Sequence, residues 1–243
     1  MVEKKVAESD TDFSEIFQDL KNNVDTLMTD FIARQNEDSV FPNPGVYTYY
    51  KNYNNRVIWL SDEIYRESTV PIIKNILIWN REDEANGVKP EERKSIKLMI
   101  NSYGGDIDAM FPLVDVIKAS KTPVYTYNMG VAMSCGFYIL IAGHKRYSLE
   151  HSQSLCHQGS GAFQGEAETI KSHTAQYNKT LNTIFDHVVS CTKISKELLN
   201  KKKKTEWFIN GAEQVELGVV DKIIPEQLES EFKGCGDLLK KLD

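Results

Sequence analysis

The chain has 243 residues, a net charge of −6 and 41% hydrophobic residues. That length supplies the core of one domain with appendages, and the acidic balance argues against nucleic acid as the main partner. The four cysteines, Cys135, Cys156, Cys191 and Cys235, lack C-x-x-C spacing and histidine clustering, so they read as reduced thiols and not as a zinc site.

The first residues, Met1-Val2-Glu3-Lys4-Lys5, have no secretory apolar core, and no apolar run approaches the length of a membrane span. The expected setting is therefore cytoplasmic. Residues 1 to about 12 are polar and read as disordered. From Phe13, the positions Ile16, Phe17, Leu20, Val24, Leu27, Met28, Phe31 and Ile32 recur at helical spacing. The stripe suits packing on its own domain and a partner-helix seam equally. Phe41-Pro42-Asn43-Pro44-Gly45 reads as the turn-rich junction into the main domain.

Arg56-Val57-Ile58-Trp59-Leu60 reads as the first core strand, and Val70 to Trp79 as a helix carrying Ile72, Ile73, Ile76 and Leu77. Glu82 to Lys94 is charged, contains Asn86-Gly87 and Pro90, and reads as an exposed loop. The buried strand Ile96-Lys97-Leu98-Met99-Ile100 then ends on Asn101-Ser102-Tyr103-Gly104-Gly105. Ile107, Met110, Phe111, Val114 and Ile117 follow helical spacing, with Pro112 in the first turns.

A second unit of the same kind follows. Pro123-Val124-Tyr125-Thr126-Tyr127 has strand composition, Phe137 to Ala142 suits two buried helical turns, and the small-residue turn between them holds Ser134. A serine at a helix start beside free backbone N–H groups has what acyl transfer needs. The G-x-S-x-G elbow is absent, since Met133 and Cys135 flank the serine. By itself such a serine is more often a packing or capping residue.

Short strands are expected at Lys145 to Leu149 and Ser154 to His157, then a glycine-rich stretch from Gly159 to Gly165. A long amphipathic helix follows with the stripe Ile170, Tyr177, Leu181, Ile184, Phe185 and Val188. The remainder reads as a helix near Ser195 to Asn200, a solvated Lys201 to Lys204 run, a small helix ending at Leu217-Gly218, and a closing strand Val219 to Ile224. Alternating strands and helices imply an α/β fold with a parallel sheet and a site at the carboxyl ends of the strands.

Four stretches together resemble one family, the proteolytic subunit of the Clp protease, ClpP. They are Ile100 to Gly105, Met129 to Gly136, His157-Gln158, and the tail Glu206-Trp207-Phe208-Ile209-Asn210-Gly211 through Asp221. The resemblance spans about Arg56 to Ile224. It implies a ClpP/crotonase-like fold of stacked parallel sheet and flanking helices, with a strand-plus-long-helix handle for assembly. It divides the chain into an extension over 1–45, a peptidase domain over 46–225 and a tail over 226–243.

Residue by residue, the resemblance makes Ser134 the nucleophile, His157 the general base, and the N–H groups of Gly105 and Cys135 the oxyanion hole. Glu206 stands where the family has Asp, so it is the expected third member, with a surface ion pair as the other reading. His157 as a structural strand histidine and Gly159 to Gly165 as a plain loop are the corresponding bland readings. His144, His151, His173 and His187 have no comparable context.

The resemblance further implies a serine endopeptidase acting on unfolded or delivered proteins inside stacked homo-oligomeric rings. It calls for no metal or cofactor in this subunit, no nucleic acid and no membrane, and an AAA+ unfoldase or paralogous subunit as partner. Tyr103 replaces the family's proline, the loop over 82–94 is long, and the Phe13 to Ile32 helix is additional, all pointing to a phage-type or capsid-maturation member. A weakly active structural subunit and acyl-CoA chemistry on the related crotonase fold are the alternatives.

Overall fold

The computed structural model describes residues 44–202 and 204–224. The helix expected over Phe13 to Ile32 lies outside the described residues. By compactness the chain divides after Lys51.

The elements in order are α1 (Pro44–Asn54), β1 (Val57–Leu60), α2 (Arg66–Ala85), a 3-10 turn (Pro90–Glu92), β2 (Ile96–Ser102), α3 (Ile107–Ala119), β3 (Val124–Met133), α4 (Cys135–Ile141), β4 (Lys145–Ser148), β5 (Gln153–Cys156), α5 (Ala167–Cys191), α6 (Lys196–Lys202), β6 (Trp207–Asn210), α7 (Gly211–Glu216) and β7 (Lys222–Ile223). The sheet order is β1-β2-β3-β4-β7, with β5 beside β3 and β6 beside β5. Every pairing is parallel except β5 with β6. Strand β3 serves two neighbours in turn: its first half pairs with β4 and its end, Val131 to Met133, pairs with β5.

Period-two alternation separates the sheet's two faces. Ile96, Leu98 and Ile100 of β2 join the main core with residues of α2, α3, α4 and α5, whereas Met99, Tyr127 and Tyr147 pack on the opposite face. Tyr127 and Tyr147 stack there with centroids 4.9 Å apart. All seven residues of α4 are buried. Apolar on every side, this helix belongs inside the domain, so the residue at its start is anchored by packing all round.

Several expectations change. Pro44 and Gly45 begin α1 instead of closing a turn, and proline suits a first helical position because the N–H it lacks would be unpaired there. The small-residue segment before Ser134 is not a turn: β3 continues to Met133, because Ser102 and Leu155 on the flanking strands give it partners on both sides. Leu77 is exposed, and Trp79 takes the expected core place on α2. The closing strand shortens to Lys222–Ile223. In α5, Leu181, Ile184 and Val188 of the C-terminal half are buried in the core, while residues 167–176 are exposed and the first half meets its own chain through Phe163, which touches the His173 and Tyr177 rings.

The charged 82–94 segment is not a plain exposed loop. Helix α2 runs on to Ala85 because Arg56 forks onto Asp83, with Nη2 to Oδ1 at 2.6 Å and Nη1 to Oδ2 at 2.7 Å. Thr122 Oγ1 donates to Asp83 at 2.7 Å, and Arg56 also donates to the Lys94 carbonyl at 2.9 Å. Burial pushes the Asp83 carboxyl up, but the Arg56 and Thr122 hydrogen bonds and the Arg56 charge outweigh it and hold the group below its ordinary 3.8. A carboxyl with a depressed folded pKa stabilises the fold above its unfolded pKa and loses that contribution as pH falls through the folded value. Asp83→Asn is expected to cost about 3–5 kcal/mol near pH 7 by stranding the Arg56 charge. In thermal melts that is about 6–20 °C, and the gap from wild type should narrow below pH 3.8.

Among the described residues no helix is long and apolar enough to cross a membrane.

Candidate active site

The carboxyl ends of β2, β3 and β5 are neighbours in the sheet, and each delivers one part of the site. Leaving β3, Ser134 holds the chain at φ 52° and ψ −120°, a conformation that L side chains rarely adopt. Such a residue costs of order 1–3 kcal/mol and persists where its surroundings enforce it. They do so here: Ser134 N–H donates to Leu155 O at 3.0 Å, and its carbonyl accepts from Phe137 N–H at 3.0 Å.

His157 follows β5 directly. Its Nε2 lies 2.8 Å from Ser134 Oγ, the distance of a direct hydrogen bond. The His157 carbonyl accepts from the Tyr138 hydroxyl at 2.6 Å, which ties the histidine backbone to buried α4. Sequence reading overlooked Tyr138 as a positioning residue because its apolar surroundings mark it only as core.

The third part is the glycine turn after β2. Gly104 O accepts from Ile64 N–H at 2.8 Å, and Ile64 O accepts from Asp106 N–H at 2.6 Å. In a trans peptide the N–H points opposite to the C=O, so the Gly105 N–H is turned away from Ile64. Both glycines have positive φ, 109° for Gly104 and 147° for Gly105. A Cβ on Gly104 would meet Ser134 Cβ at 2.7 Å and Cys135 N at 3.2 Å, which places this turn directly against the start of α4. Among the described residues, neither the Gly105 nor the Cys135 amide makes a backbone hydrogen bond. The Cys135 thiol donates to Gly105 O at 3.0 Å, and burial pushes that thiol up to about 11, so it stays a neutral donor.

Glu206 is exposed and immediately precedes β6. The antiparallel register pairs Cys156 with Trp207, so Glu206 stands opposite His157 one step beyond the ladder. Among the described residues no hydrogen bond joins the two, and His157 Nδ1 has no partner.

Ser134 and His157 line a cleft of about 450 Å³ whose walls include Asp106, Asp108, Gly161, Phe163, His173 and Tyr177. The glycine-rich stretch carries no strand and forms one wall, while His173, set aside on sequence, forms another through α5. Spacing gave no signal for either, because the cleft is assembled by the fold from the Gly105 turn, the end of β3, the segment after β5 and α5. Asp106 and Asp108 give the cleft two carboxylates, and cationic side chains are the chemistry they favour.

A parallel α/β sheet with a histidine-bonded serine on a strained strand-to-helix turn, facing a glycine turn, has the arrangement that acyl transfer uses. The family model for Clp protease matches residues 44–227, and the chain belongs to that family. It is 31% identical over 175 residues to the ATP-dependent Clp protease proteolytic subunit 2 of Treponema denticola, covering 71% of this chain and 84% of the relative. It is 28% identical over 183 residues to subunit 2 of Treponema pallidum, covering 74% and 88%. Against the ATP-dependent Clp protease proteolytic subunit of Deinococcus radiodurans it is 26% identical over 184 residues, covering 75% and 86%.

Proposed function

We propose that this chain is a serine endopeptidase subunit with Ser134 as nucleophile and His157 as general base. The observation that carries the reading is the 2.8 Å contact between His157 Nε2 and Ser134 Oγ on a strained turn. Ser134 Oγ attacks the scissile carbonyl while its proton passes to His157 Nε2. The Gly105 and Cys135 amides take the developing oxyanion, and His157 returns the proton to the leaving amine. Water then repeats the cycle on the acyl-enzyme. The peptidase domain spans 46–225, with 1–45 as an extension and 226–243 as a tail. The relatives' names support a proteolytic subunit that works with an ATP-dependent partner; the proposed reading adds unfolded or delivered proteins as substrates, a cytoplasmic setting and a homo-oligomer of stacked rings. The exposed first half of α5 is the surface for that assembly.

Purified protein is expected to hydrolyse short fluorogenic peptides, and faster with arginine than with glutamate beside the scissile bond, because Asp106 and Asp108 line the cleft. No turnover of either peptide by the assembled protein would overturn the reading.

Glu206 orients His157 from across the strand end. Because it is exposed, Glu206→Ala should lower kcat only about 10- to 100-fold, short of the roughly 10⁴ that loss of function at a buried triad carboxylate costs. An unchanged kcat would remove Glu206 from the site. The missing Glu206–His157 hydrogen bond favours a second reading, a weakly active structural subunit assembling with an active paralogue.

A further inference from the structure

Away from the cleft, the end of α5 brings a thiol and an imidazole together. His187 and Cys191 stand four residues apart, on one face of the helix. The His187 ring is buried, and its Nε2 lies 3.0 Å from the carbonyl oxygen of Tyr138. A carbonyl only accepts, so Nε2 carries the ring proton and Nδ1 of the neutral ring keeps its lone pair. That lone pair faces Cys191 Sγ at 3.4 Å. The tautomer is therefore the one that can take the thiol proton, and the ring cannot turn without losing the Tyr138 contact.

The surroundings favour the resulting charge. Cys191 is partly exposed, Ser190 Oγ lies 3.7 Å from its sulfur, and the Arg146 guanidinium donates to its backbone carbonyl. Helix C-termini disfavour an anion, and burial also pushes this thiol up. The His187 hydrogen bond and charge, the Ser190 hydroxyl and the Lys118 charge outweigh burial and leave the thiol below its ordinary 9.0. Burial dominates at the other two described cysteines, pushing Cys135 up to about 11 and Cys156 up to about 12.

We propose that Cys191 and His187 form a reactive thiol site, distinct from Ser134, that exchanges with low-molecular-weight disulfides. The Cys191 proton moves to His187 Nδ1, and the thiolate attacks one sulfur of the disulfide R–S–S–R. The bond between Cys191 Sγ and that sulfur forms as the S–S bond of R–S–S–R breaks, and the departing thiolate takes the proton from Nδ1 to leave as RSH. Cys191 is oxidised and half of the incoming disulfide is reduced.

The test uses the full chain with Cys235→Ser, since Cys235 lies outside the described residues. Native protein is treated with oxidised glutathione across pH 6–9 and mapped by mass spectrometry, with the same chain unfolded in guanidinium as the reference. The readout is the midpoint of the Cys191 rate–pH profile, which steric access does not move. The native midpoint should lie below the unfolded one, and His187→Gln should raise it and slow the reaction at pH 7 by at least about threefold. A native midpoint equal to or above the unfolded one, or no mixed disulfide at Cys191, overturns the site. So does a His187→Gln profile identical to wild type. Should His187→Gln fail to fold, as judged by circular dichroism, the native-against-unfolded comparison decides alone.

Discussion

Ser134→Ala is expected to lower peptide hydrolysis by roughly 10³-fold or more while leaving the fold intact. The variant removes Oγ, the atom 2.8 Å from His157 Nε2, and keeps the Cβ that packs against the glycine turn. Its backbone stays at the same positive φ, 52°, so its melting temperature should change little. Ser134→Gly should be as inactive but more stable than Ser134→Ala by about 1 kcal/mol, because glycine adopts that φ without penalty. The double variant Ser134→Ala with His157→Ala should lose nothing further, since the pair acts as a unit. Steady-state rates and thermal melts on the four proteins check this. A loss under tenfold for Ser134→Ala would move the nucleophile elsewhere.

The second large effect is expected at Gly105. An added Cβ there would lie 2.3 Å from Ile64 O and 2.8 Å from Ile64 N, at φ 147°. The obstacle is backbone held on both sides of Ile64 by hydrogen bonds to Gly104 O and Asp106 N–H, so it has no room to give. Gly105→Ala should cost about 3–5 kcal/mol from strain and overpacking combined, or about 6–20 °C in Tm. Because the shift falls on the proposed oxyanion donor, kcat should drop about 10²-fold or more in whatever fraction folds. Gly87→Ala is the control: φ is 65° there but nothing lies within 4 Å, so the cost should stay near 1 kcal/mol with activity unchanged. Equal effects at the two glycines would mean that backbone strain alone, and not contact with Ile64, fixes the turn.

These residues show what was legible in the sequence. Strands β1, β2 and β3 declare themselves through continuous apolar runs, and the glycine turn after β2 stands out because small residues end that run, whereas the small residues before Ser134 hid the continuation of β3 to Met133. Ser134 was singled out by its small-residue surroundings and His157 by the family resemblance, and the fold brings their side chains to 2.8 Å. Helix α1 was missed, as its aromatic and polar residues form no stripe. The Arg56 fork onto Asp83 was missed too, because a charged segment reads as solvated until its partner twenty-seven residues away is known. Glu206 was named only by its position where the family has Asp. Its register opposite His157 follows from β5–β6 pairing, but whether a glutamate closes the gap depends on side-chain geometry that no spacing encodes. The His187 and Cys191 pair was visible as a four-residue interval, yet only the Tyr138 carbonyl fixes the tautomer that makes it chemical.

The central claim, that Ser134 is an activated nucleophile, is tested most directly by fluorophosphonate labelling of the purified protein, mapped by mass spectrometry, in wild type and in His157→Ala. The account predicts a single adduct on Ser134 in wild type and none in the variant. An assembled wild-type protein that stays unlabelled, under conditions where a known serine peptidase reacts fully, would contradict it.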